Sequence, residues 1–102
     1  MKRITLHPEA EAELRASERF YEQRGGPKLA LDFVERVRDG LQLIGANPQR
    51  FPFLAGCPKV RKCRLARFPF SIYYVERSED IWVLAVAHAK RCPGYWAERL
   101  DR

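Results

Sequence analysis

Two groups of side chains in the sequence carry chemistry worth arguing. The first is Lys59, Arg61, Lys62, Arg64 and Arg67, five cations within nine residues. Such a group suits phosphate contact, because ammonium and guanidinium groups neutralise backbone phosphates without reading sequence. It equally suits a solvated edge strand on which charge prevents edge-to-edge pairing. On a strand, alternation separates Arg61 from Lys62 and Arg64, so part of the cluster must project from whichever sheet face is left uncovered.

The second group is His88, Arg91, Tyr95 and Trp96. Metal-free RNA cleavage needs a base near the 2′-hydroxyl, a cation for the phosphorane charge and an acid for the leaving oxygen. His88 suits the base or the acid, Arg91 offers a planar fork for the phosphate, and Tyr95 can stack on or position a base. A structural use of the same residues is also open. In that reading His88 closes a strand by bonding a backbone group, Tyr95 and Trp96 cap the core around Pro93, and Arg91 tethers the C-terminal segment through Glu98 or Asp101.

Other chemistries lack their residues. The sequence holds no glycine-rich phosphate loop, no H-E-x-x-H pair and no C-x-x-C, which leaves nucleotide hydrolysis, zinc proteolysis and dithiol redox work without support. Cys57, Cys63 and Cys92 are odd in number and lack the tight pair that opens structural zinc sites, so they read as isolated thiols. No cofactor and no metal are expected.

These residues need a scaffold. At 102 residues with 46% hydrophobic side chains, the chain reads as one domain, residues 1–102, with one core. No apolar run approaches the roughly 20 residues that cross a bilayer and no targeting signal is evident, so a cytoplasmic address and no membrane partner are expected. The net charge of +6 is uneven: residues 59–102 hold 10 basic and 5 acidic side chains, against 9 and 8 in residues 1–58. The second half therefore attracts an anionic partner.

Residues 3–6 read as a short strand. Pro8 fits a first helical turn with Glu9 and Glu11 behind it, and Ala10, Leu14, Ser17 and Tyr21 make one face of a helix that Gly25-Gly26 ends. Pro27 opens a second helix with the stripe Ala30, Phe33, Val34, Val37, Leu41 and Ile44, stopped by Ala46-Asn47-Pro48. The loop 49–58 is rich in Phe, Pro and Gly, and its Phe51, Phe53 and Leu54 are expected to lid one end of the core. Strands follow at 59–65, 70–75 and 81–88, the last two richest in β-branched and aromatic residues and so expected at the centre of the sheet. The expected fold class is α+β: an N-terminal strand and a two-helix hairpin on a small, curved, mainly antiparallel sheet, β-α-α-β-β-β, with a short C-terminal helical segment. Two helices cover one sheet face; the other is open, curved or partly covered by residues 95–100.

The segments HPEAEAEL, ANPQRFPFL, KCRLARFPFSIYYVE and IWVLAVAHAKRCPGYW together resemble the RelE/ParE superfamily of toxins from bacterial type II toxin-antitoxin systems, and the resemblance spans nearly the whole chain. It implies a growth-inhibiting toxin of the kind tied to plasmid stabilisation, bound by a cognate antitoxin in a hetero-oligomer. It implies one of two targets, DNA gyrase in the ParE branch or ribosome-bound mRNA in the RelE branch. A RelE-branch catalytic arginine falls where this chain has Ser71, and a second where it has Ala89, two residues before Arg91. Tyr95 matches that branch's C-terminal tyrosine, and Lys59 and Lys62 match its basic strand in character. The resemblance thus favours a toxin that acts by binding. A metal-independent, ribosome-dependent mRNA endonuclease is the alternative, and a non-toxic basic module that binds an antitoxin is a further one.

Overall fold

A computed structural model describes residues 2–92 and 94–101. Strand β1 (Arg3–Leu6) leads into helical segment α1 (Pro8–Ala46), followed by β2 (Phe53–Leu54), β3 (Cys57–Arg64), β4 (Phe70–Glu76), β5 (Asp80–His88) and a 3₁₀ helix (Ala97–Asp101). The sheet runs β1-β5-β4-β3-β2, antiparallel except where β1 lies parallel to β5. Class and element order match the α+β expectation, and the two most apolar strands, β4 and β5, lie inside the sheet.

The helical part differs in detail. One helical segment replaces two separately bounded helices, and only Gly26 leaves helical geometry, at φ 83° and ψ −177°. That conformation is open to glycine and strained for any residue with a Cβ. A straight helix of this length would run to about 58 Å, whereas the longest dimension of the protein is 39 Å. The arms on either side of Gly26 fold back on each other: the rings of Tyr21 and Phe33, twelve residues apart, have centroids 5.1 Å apart. His7 starts the segment, its Nδ1 accepting from the Glu9 N–H at 3.0 Å, with Pro8 in the first turn where it costs no hydrogen bond.

The arms bury Ala10, Leu14, Phe33, Val37 and Ile44 against Cys63, Leu65, Phe70, Ile72, Tyr74, Ile81, Val83 and Val86 of the sheet. Leu41 is only partly buried, so the stripe centres on Phe33, Val37 and Ile44. Gly40 lets the arm sit close: a Cβ there would stand 3.0 Å from Ile72 Cδ1. Phe51 packs beside this core, but Phe53 is largely exposed and Leu54 joins the opposite face, so the 49–58 segment supplies the edge strand β2 where a loop was expected. Tyr74 reaches down to donate its hydroxyl to the Pro48 carbonyl at 2.7 Å, and burial pushes its pKa up to about 12.

A bulge in β5 decides what faces where. Tyr73 pairs with Ala85 and Tyr74 with Val83, leaving Leu84 as the extra residue. Ile81, Val83 and Val86 therefore face the helical arms, while Trp82, Leu84, Ala85 and Ala87 face away. On that second face they meet Val60, Trp96 and the partly buried Tyr73, Tyr95 and Leu100, so the C-terminal segment covers part of it.

The β4–β5 turn is closed by Arg77, which grips Asp80 through Nε and Nη2 at 2.6 Å each and lies 4.6 Å over the Trp82 ring. The Arg77 hydrogen bonds hold the Asp80 carboxyl at about 2, below its ordinary 3.8. A carboxyl depressed on folding stabilises fully above its unfolded pKa and loses that contribution as pH falls through the folded value. Asp80→Asn is accordingly expected to lower thermal stability at pH 7 and to flatten its fall between about pH 4 and pH 2, a comparison made by calorimetry across that window. In the core, Ile44→Ala is expected to cost about 2 to 5 kcal/mol in urea unfolding, while the exposed Leu31→Ala stays within about 0.5 kcal/mol.

Candidate functional site

The basic cluster is divided by the strand that carries it. Arg61 points to the helical side, where its Nη1 donates to the carbonyls of Phe51 at 2.7 Å and Gln49 at 3.3 Å and its guanidinium lies 3.8 Å over the Phe53 ring. Arg67, at a left-handed φ of 72°, pairs with Asp32 at 2.9 Å. Lys59 is exposed beside Phe53, Pro58, Arg61, Val75 and Glu76. Lys62 and Arg64 project from the second face, as alternation required.

There they enter a trough formed by two adjoining hollows. One, of about 230 Å³, is lined by Lys62, Arg64, Ser71 and Tyr73 among others; the next, of about 210 Å³, runs past Arg91, Tyr95 and Trp96, and both include Lys62, Tyr73 and Ala89. No Asp or Glu lines either hollow among the described residues. The trough therefore brings Lys62 and Arg64 together with Arg91, His88 and Tyr95, and leaves Lys59, Arg61 and Arg67 outside. The two positions where the RelE branch would carry arginines, Ser71 and Ala89, line the same hollow.

His88 ends β5. Its Nδ1 accepts from the Lys90 N–H at 3.0 Å and its ring meets the edge of Phe70, centroids 5.1 Å apart. Trp96 is buried, stacked on Tyr73 with centroids at 5.2 Å. Arg91 is exposed, its guanidinium 3.8 Å over the Tyr95 ring, and among the described residues it makes no ion pair. The expected part of Pro93 in holding Arg91 lies outside the described residues.

The tether of the C-terminal segment is a different arginine, and neither Glu98 nor Asp101 is its partner. Arg99 is buried and grips Glu13 of α1 with both Nη atoms at 3.1 Å, while its Nη1 also donates to the Leu84 carbonyl at 3.0 Å. Glu13 in turn accepts from the Val86 N–H at 3.1 Å and from the Tyr95 hydroxyl at 2.6 Å. β1 ends opposite Val83, so these two side chains occupy the stretch of β5 edge that β1 does not reach. Burial first, and then the Glu13 hydrogen bond, push the Tyr95 phenol well above its ordinary range, which keeps it protonated as a donor. Nothing local in the sequence announces a pair whose members lie 86 residues apart.

The sequence matches the family model of the ParE toxin of type II toxin-antitoxin system, parDE, over residues 4–93. A solved structure described as the chromosomal ParDE TA system from P. aeruginosa superposes with a TM-score of 0.76 at 25% identity, covering 86% of this chain and 96% of that one. A comparison with curated proteins gives no match. Among the described residues no helix is long and apolar enough to cross a membrane, and no cluster of three or more His, Cys, Asp or Glu could hold a metal ion.

The division of labour between the two arginines is measurable. Arg99→Leu leaves the Glu13 carboxylate without its cation and is expected to cost about 3 to 5 kcal/mol, the range for breaking a buried pair. Arg91→Ala removes an exposed stacking contact and is expected to cost less than about 1 kcal/mol. Guanidinium chloride unfolding of both variants makes the comparison, and a larger loss for Arg91 would reverse the assignment.

Proposed function

The chain belongs to the ParE toxin family of type II toxin-antitoxin systems, and from that premise we propose that it arrests growth by binding DNA gyrase and is neutralised by a cognate antitoxin. The observation that carries the binding mode is the furnishing of the trough. Three cations line it, but Ser71 and Ala89 stand where the RelE branch would place arginines. An endonuclease needs positive charge aimed at the phosphorane and a base and an acid within reach. Here the Tyr95 hydroxyl is engaged by Glu13 and His88 Nδ1 by the Lys90 amide. Tight attachment to a target asks for neither. It asks for fixed charge with free hydrogen-bonding groups, which Arg91 has: its guanidinium rests 3.8 Å over the Tyr95 ring and, among the described residues, makes no ion pair.

The purified protein is expected to inhibit gyrase supercoiling and to leave mRNA intact in a reconstituted translation reaction; the opposite pattern would establish the endonuclease reading. Arg91→Ala is expected to abolish growth arrest in cells lacking antitoxin at unchanged protein level and melting temperature. Arg91→Lys is expected to restore it in part, because charge survives while the two-pronged geometry does not. A soluble, fully toxic alanine variant would remove Arg91 from the functional surface.

A further inference from the structure

Arg61, Arg77 and Arg99 each lie over an aromatic ring, and each also donates to an acceptor within the chain. Arg91 lies 3.8 Å from the centre of the Tyr95 ring, and among the described residues its guanidinium donates to none. Its backbone is fixed, the N–H donating to the His88 carbonyl at 3.0 Å, but a long flexible stem separates that anchor from the charge. The Tyr95 ring is thus the contact that restrains the cation.

A ring can restrain a cation only if it is itself held. Phe20, which carries the Arg24 guanidinium at 4.7 Å, is 47% exposed and has no polar group to tie it down. Tyr95 is tied at three points. Its ring packs beside Trp96 and Leu100 on the second face, its N–H donates to the Cys92 carbonyl at 3.3 Å, and its hydroxyl donates to Glu13 at 2.6 Å. Glu13 is in turn fixed by Arg99 and the Val86 amide. A phenol that donates to a carboxylate also pushes electron density into its ring, whose face then attracts a cation more strongly. An arginine held in place beforehand loses less freedom when a partner grips it.

We propose that Glu13 and Tyr95 are positioning residues for Arg91: Glu13 fixes the Tyr95 ring, and the ring holds the guanidinium in the place from which it grips the target. The identity of the target rests on the gyrase reading given above; the positioning does not. Tyr95→Phe keeps the ring and loses the bond to Glu13, Tyr95→Leu loses the ring, and both leave the Glu13–Arg99 pair in place. The Arg91 Nε–H of the isotope-labelled full chain is followed by NMR in mildly acid solution, where its exchange with water is slow. Ring current shifts upfield a proton held over an aromatic face, and relaxation reports the motion of the side chain. Upfield shift and order are expected to be largest in the unaltered chain, smaller in Tyr95→Phe and lost in Tyr95→Leu. Affinity for gyrase holoenzyme, read by surface plasmon resonance, is expected to fall about 3-fold in Tyr95→Phe and about 10-fold in Tyr95→Leu, the range for a side chain left to be ordered on binding. On an Arg91→Ala background, Tyr95→Leu is expected to change that affinity by less than about 2-fold, because the ring acts through Arg91. Melting temperatures confirm that the variants are folded. An Arg91 side chain as mobile in the unaltered chain as in Tyr95→Leu overturns the proposal, and so does a Tyr95→Phe variant indistinguishable from the unaltered chain. A loss in Tyr95→Leu of equal size with and without Arg91 overturns it too, since the ring would then touch the target itself. If Arg91→Ala binds gyrase as tightly as the unaltered chain, the target reading alone fails and the NMR measurement decides the positioning.

Discussion

The ion pair between Glu13 and Arg99 is the interaction on which the second face of the sheet depends. β1 is four residues long and stops opposite Val83, so β5 continues beyond it without a neighbouring strand on that side. Backbone groups left there would pay the cost of unmet hydrogen bonds under partial burial. Glu13 from the helical segment and Arg99 from the C-terminal 3₁₀ helix take the Val86 amide and the Leu84 carbonyl, and grip each other while doing so. One contact thus satisfies the sheet edge, fastens the C-terminal segment over the second face and fixes the Tyr95 hydroxyl. Through Tyr95 it also places the ring over which the Arg91 guanidinium rests at 3.8 Å.

The bulge in β5 is the second constraint. Without the extra residue Leu84, strict alternation would give the strand one apolar face toward the helical arms and would turn the rest to the other side in fixed order. With it, Leu84 and Ala85 both serve the second face, which gains enough apolar surface to hold Trp96 and Leu100. The small side chains of Ala87 and Ala89 then leave room for the trough.

Much of this is legible in the sequence. The stripe from Ala30 to Ile44 is a local pattern at helical period, and its burial follows. The alternation that sends Lys62 and Arg64 to one face is equally local. The likeness to the RelE/ParE superfamily rested on four separated segments and agrees with the family match. What could not be read depends on distance or on uniform composition. The run from Ile81 to Ala87 is apolar throughout, so no periodicity marks where its parity breaks. Arg61 and Arg67 look like their neighbours in sequence, yet their partners, the carbonyls of Gln49 and Phe51 and the carboxylate of Asp32, come from other elements. Gly25 and Gly26 announce a reversal correctly, but its execution at the single residue Gly26 is a matter of φ and ψ that composition does not carry.

The parallel pairing of β1 with β5 has a kinetic consequence. Residues 3–6 find their partners in residues 80–83, and Glu13 finds its own at Arg99, so both closures span most of the chain. Contacts of such sequence separation are made late, after the entropy of closing a long loop has been met. During synthesis the helical arms and the β3–β4 pairing can form early, while the second face stays unassembled until residue 99 has left the ribosome. The surface that carries Arg91 therefore depends on closures that join the two ends of the described chain, and it is completed only once both are made.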